Sequence, residues 1–158
     1  MFYGILALFV GLIALADQIT KAITVANIPL HQEIPVIEGL FHFTYVQNTG
    51  AAFSSFEGMR WMFVLIFLVF TLAIAYEAVK QTMGFSKFEW WCAAAVYGGG
   101  LGNMIDRVRL GYVVDMIETE FITFPIFNVA DCFITCGCIA MIASLVLFNK
   151  DFWKDGKK

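Results

Sequence analysis

Long apolar runs alternate with short polar intervals along the 158 residues, and these runs set the architecture before any single side chain does. Four stretches, at about 2–26, 59–79, 88–107 and 128–148, each approach the roughly 20 residues needed to cross a hydrocarbon core. They predict a membrane all-α fold of four transmembrane helices, with both termini on the same side. Ala14-Leu15-Ala16 has the small-residue look of a cleavage site, but no positive charge precedes the first run, which therefore reads as a retained helix.

The interval at about 27–58 is too long for a plain connection and should have structure of its own. Within it Phe41, Phe43 and Tyr45 alternate with His42, Thr44 and Val46, a period of two that predicts a strand with an aromatic face. Pro29 and Pro35 keep the start of the interval from being helical. The expectation is a small extracytoplasmic β element on the first outer loop, lying on the membrane as a platform for an extended peptide. The second outer connection, 108–125, reads as a loop whose Met116, Ile117, Phe121, Ile122 and Phe124 can dip into the interface. With no repeat and no linker, 1–158 reads as a single integral membrane domain.

Composition supports that class, because 60% hydrophobic residues and a mean hydropathy of +0.77 exceed what a soluble domain of this size could bury. Lysines set the orientation: Lys80 and Lys87 between the second and third runs, and Lys150, Lys154, Lys157 and Lys158 after the fourth, place those segments in the cytoplasm. A net charge of -3 without a basic patch interleaved with aromatics gives no reason to expect nucleic acid. Cys92, Cys132, Cys136 and Cys138 fall inside apolar runs and read as small core residues rather than a disulfide framework. A metal site on Cys132 and Cys136 would need further ligands, and the two histidines lie in a distant loop, so neither metal nor cofactor is expected.

Against this background the ionisable residues stand out. A charged side chain within or beside a bilayer segment costs at least about 2.5 kcal/mol and is by default functional. Asp17 and Lys21, one turn apart, can neutralise each other at the end of the first helix. Asn48-Thr49-Gly50 is a turn into small residues. Gly98-Gly99-Gly100-Leu101-Gly102 gives the third helix a face for close approach, followed by Asn103, Asp106 and Arg107. Asn103 and Arg107, four apart, can jointly position a backbone or a carboxylate, and a buried carboxylate is the expected counter-ion of Arg107. Asn128 can cap the fourth helix with Asp131 at its third position, and Asp115 alone could be an ordinary loop residue. Neither explanation accounts for two carboxylates at one membrane edge. Such a pair can share a proton, one member acting as base and the other as acid on a peptide carbonyl.

The chain resembles the bacterial lipoprotein signal peptidases, the signal peptidase II family, over nearly its whole length. Asp17-Gln18-Ile19-Thr20-Lys21, Asn48-Thr49-Gly50, Gly102-Asn103-Met104-Ile105-Asp106-Arg107, Val113-Val114-Asp115 and Phe127-Asn128-Val129-Ala130-Asp131 are similar to that family's motifs, in the same order. The resemblance implies an aspartyl endopeptidase of the bacterial inner membrane that removes the signal peptide from diacylglyceryl-modified prolipoproteins, cutting before the lipidated cysteine near the outer face. It implies catalysis by Asp115 and Asp131, substrate or dyad orientation by Asn103, Arg107 and Asn128, and support from Asp17, Lys21, Asn48, Gly50 and Asp106. Its partners would be prolipoproteins and membrane lipids. A proton-coupled small membrane carrier would also use acids among four helices, but nearer the bilayer midplane. A serine peptidase built from Ser54 or Ser55 would need Lys21 as a base, and Asp17 keeps Lys21 charged.

Overall fold

A computed structural model describes residues 1–50 and 55–149. Four helices, α1 (Phe2–Asn27), α2 (Arg60–Lys80), α3 (Lys87–Arg109) and α4 (Val129–Leu147), alternate with three strands, β1 (Glu33–Ile37), β2 (Phe41–Asn48) and β3 (Val113–Thr119). Helices α1, α2 and α4 are long and apolar enough to cross a membrane. The protein is inside out relative to a soluble one. In α1 the buried stripe contains Asp17, Lys21 and Thr24, while Leu8, Leu12, Leu15, Ile19 and Ile23 face outward. Along α2 only Glu77 is buried, its carboxylate accepting hydrogen bonds from Thr82 and from the Met83 N–H.

Helix α3 is the least apolar because it packs against α1, α2 and α4. Its glycines permit that approach: a Cβ at Gly98 would meet the Ile13 side chain, one at Gly99 the Ala130 carbonyl, and one at Gly102 the Asp17 carboxylate. Gly102→Ala is therefore expected to lower stability by about 1–3 kcal/mol by pushing Asp17 aside, as read from the thermal unfolding midpoint in detergent. Side-chain caps fix two helix starts. Ser86 and Glu89 form a capping box on α3, and Asn128 and Asp131 form one on α4.

The strands form one antiparallel sheet in the order β1-β2-β3, at the end of the bundle where α1 and α3 finish and α2 and α4 begin. Strand β1 is an exposed edge, and the ladder slips between Pro35 and Ile37, as expected of a strand holding proline. Strand β2 forms where the period of two places it, but its faces differ from a simple alternation. His42 and Thr44 are buried, Phe43 is exposed, and a register shift between Phe43 and Val46 turns Tyr45 inward.

Segment 108–125 is not merely a loop, since Val113–Thr119 is the third strand and carries Asp115. Met116 does not dip outward but is buried with Ile28, Tyr45 and Val114. Phe121, Ile122 and Phe124 remain exposed. The chain then returns along β3, with Ile117 and Phe127 exchanging backbone hydrogen bonds, and so delivers Asn128 beside Asp115. All four cysteines are free, but only Cys92 is a core residue, since Cys132 and Cys136 are exposed on α4 and Cys138 is half-buried.

Candidate active site

Asn128 is the hub of a hydrogen-bonded network that joins both aspartates. Its Nδ2 donates to Asp115 Oδ1 at 2.6 Å, and its backbone N–H donates to Asp131 Oδ2 at 3.2 Å. The Asp131 N–H returns a bond to Asn128 Oδ1 at 3.0 Å. The N-cap residue of α4, Asn128, thus also holds the two carboxylates. On the other side of each carboxylate, Asn48 Nδ2 donates to Asp115 Oδ2 at 2.8 Å, and Asn103 Nδ2 donates to Asp131 Oδ1 at 2.8 Å.

Each amide is oriented in turn. Asn48 Oδ1 accepts the Gly50 N–H at 2.9 Å, and Asn103 Oδ1 accepts from Lys21 Nζ at 2.9 Å and from Asn128 at 3.1 Å. Lys21, 3% exposed, lies 2.8 Å from Asp17 and 3.0 Å from Asp106. Asp17 accepts the Ala130 N–H of α4, and Asp106 accepts the Val114 N–H of β3. This ionic group therefore sits behind the pair and fastens α1, α3, β3 and α4 together. Gln18 completes it by donating to Asp106 and to the Gly102 carbonyl. In the sequence Gln18 has no role beyond its place in the Asp17–Lys21 motif, and a polar residue beside Asp17 in an apolar helix is the one signal of it.

Arg107 departs from expectation. Among the described residues no ion pair joins it to a carboxylate; its Nη2 donates to the Gly50 carbonyl at 2.8 Å, and its guanidinium lies 4.4 Å from the centre of the Phe63 ring. Of the two helix neighbours, Asn103 holds a carboxylate and Arg107 holds a backbone. A Cβ at Gly50 would run into the Ser55 carbonyl, so this turn has room only for glycine. Ser54 lies outside the described residues.

Asp115 and Asp131 line a cavity of about 510 Å³ with Asn48, Asn103 and Arg107. Phe124, Phe127, Cys132 and Cys136 contribute to its walls. Burial pushes the Asp115 carboxyl up to about 6, with the neighbouring charge of Asp131 adding to the rise and the amide bonds from Asn48 and Asn128 opposing it. Two carboxylates lining one largely apolar cavity have the elements of acid–base chemistry without a nucleophilic side chain.

This architecture is that of a helical membrane protein with one small antiparallel sheet beside a cavity lined by two carboxylates. Two solved structures described as a bacterial membrane enzyme superpose with TM-scores of 0.84 and 0.82, at 31% and 32% identity. They cover 94% and 92% of this chain and 91% and 95% of their own. The family model for signal peptidase (SPase) II matches residues 9–147. A lipoprotein signal peptidase of Enterococcus faecalis is 42% identical over 159 residues, covering 99% of this chain and 94% of that protein. One from Streptococcus thermophilus is 42% identical over 137 residues, covering 85% and 86%. The chain belongs to the signal peptidase II family and is a protease of the bacterial membrane.

Proposed function

We propose that the chain is an aspartyl endopeptidase that removes the signal peptide from diacylglyceryl-modified prolipoproteins, cutting before the lipidated cysteine. The observation that carries this reading is that Asp115 from β3 and Asp131 from α4 both line one cavity and are both held by the buried Asn128. In this reading Asp115, whose carboxyl burial raises to about 6, serves as the acid, and Asp131, at the start of α4, serves as the base. Asp131 takes a proton from water as the water attacks the scissile carbonyl. Asp115 polarises that carbonyl, and the pair returns a proton to the departing amine. Asn103 and Asn128 hold the carboxylates, Asn48 and Gly50 shape the rim, and Asp17, Lys21 and Asp106 brace the elements behind.

All four helices cross the bilayer in this reading, α3 being shielded by its neighbours and, at 23 residues, about 34 Å long. Lys80 and Lys87, at the end away from the sheet, mark the cytoplasmic side, so both termini are cytoplasmic and the sheet and site face outward. Residues 1–158 act as one peptidase domain, and substrate enters laterally from the lipid. The carrier alternative finds no support in the placement of Asp115 on a strand at one end of the bundle. The direct test is cleavage of a purified lipid-modified prolipoprotein in a bilayer, with mass spectrometry of both products. A new N-terminus at the lipidated cysteine supports the reading, and cleavage elsewhere or none opposes it.

Two further outcomes follow. Because the acid must keep its proton, kcat/KM should fall as pH rises through the upper apparent pKa of the pair, near 6 in the free enzyme. A profile flat from about pH 4.5 to about 8.5 would contradict this. Arg107→Lys keeps the charge but loses the planar fork that reaches the Gly50 carbonyl and covers Phe63. It should cost about 2–5 kcal/mol in transition-state stabilisation, as read from kcat/KM. Near-parental turnover would reduce this arginine to an interfacial anchor.

A further inference from the structure

Three residues along β3 from Asp115, the sheet carries a second polar cluster. His42 of β2 faces three carboxylates: Nε2 lies 2.9 Å from Glu118 and 3.8 Å from Glu33, and Nδ1 lies 3.2 Å from Glu120. Glu118 and Glu120 come from β3 and the residue after it, and Glu33 from the edge strand β1. Among the described residues, no lysine or arginine pairs with any of them. Even with His42 protonated the group would carry two uncompensated negative charges.

Glu120 is fixed independently, because its Oε2 accepts the Gly39 N–H at 2.7 Å in the turn between β1 and β2. Its Oε1 lies 3.2 Å from His42 Nδ1, so Glu120 holds the ring through Nδ1 while Nε2 faces Glu118 and Glu33. An outer carboxylate that orients a histidine in this way is the usual support of a histidine metal ligand.

We propose that Glu33, His42 and Glu118 bind a divalent transition-metal ion of the zinc class, with Glu120 as the orienting group and water completing the coordination. One ligand atom from each of the three lies within 4.8 Å of the others. The separations of 2.9 and 3.8 Å bracket the roughly 3.3 Å expected between ligands about 2.05 Å from a tetrahedral ion. Imidazole with carboxylates suits zinc better than magnesium or calcium, which prefer all-oxygen shells. The ion would be structural. Strand β1 has no buried residue, so a clamp from Glu33 to β2 and β3 gives it an anchor beyond its backbone ladder.

The test uses the full chain in detergent, stripped with chelator and titrated with zinc chloride by calorimetry, with amide exchange of β1 followed in parallel. One zinc per chain should bind and slow exchange in β1, while magnesium and calcium at the same concentrations do neither. Glu33→Gln, a change at an exposed side chain, should weaken binding at least tenfold, and His42→Gln should abolish it. Glu120→Gln should weaken it by about 10–100-fold, as loss of an orienting partner does. Peptidase turnover should persist in the stripped protein. Absence of zinc binding by folded parent would overturn the proposal, as would binding unchanged by Glu33→Gln and His42→Gln but lost in Cys132→Ser, which would place the ion in the cavity.

Discussion

Lys21→Met is expected to destabilise the protein by about 3–5 kcal/mol and to remove activity with it. Asp17 is fully buried and Asp106 is 3% exposed, so the substitution leaves two carboxylates in the interior without the ammonium that lies within 3.0 Å of both. Methionine fills much of the same volume, which makes charge rather than packing the main loss. The effect reaches the aspartate pair through one intervening residue, since Lys21 Nζ also holds the Asn103 amide that donates to Asp131. Thermal unfolding midpoints in detergent should drop for Lys21→Met and recover in part when Asp106→Asn is added. A Lys21→Met protein as stable and active as the parent would show that the ionic group is not what braces the site.

Helices were the most legible part of the fold because the bilayer imposes length and apolarity on each segment separately. The α4 cap was legible for a similar reason, since Asn128 and Asp131 are three residues apart and their geometry is local. Strand β2 announced itself by alternation, whereas β3 did not. Val113, Val114, Asp115 and Met116 are all buried, so both faces are covered and the period of two disappears; only the β-branched content of 113–119 hinted at a strand. Contacts between distant segments were beyond the pattern altogether. Nothing in the sequence indicates that Asp17 accepts the Ala130 N–H or that Arg107 turns to the Gly50 carbonyl instead of a carboxylate. Cys132, Cys136 and Cys138 depart from the core positions expected of them because a membrane helix shows its apolar side to lipid and cavity as well as to the core, so apolar surroundings in sequence do not mean burial.

Asp115→Asn and Asp131→Asn are each expected to reduce turnover by about 100- to 10,000-fold, because an amide keeps the shape but cannot exchange the proton. Asparagine is not innocent here. Asp115 accepts from Asn48 and Asn128 on its two oxygens, and the Oδ1 atoms of those residues are already engaged with the Gly50 and Asp131 N–H groups. An amide at 115 therefore sets NH2 against NH2, at a cost of about 1–3 kcal/mol. At 131 the opposing donors are the Asn103 side chain and the Asn128 backbone. Loss of activity carries weight only where folding is measured in the same preparation.

The most direct measurement is the initial rate at which parent, Asp115→Asn and Asp131→Asn cleave one purified lipid-modified prolipoprotein in the same bilayer, with thermal unfolding recorded on each sample. Two folded variants that both fall by about 100-fold or more are the result predicted for a proton-sharing pair. Turnover within a few-fold of the parent by either folded variant would contradict the assignment of Asp115 and Asp131 as the catalytic dyad.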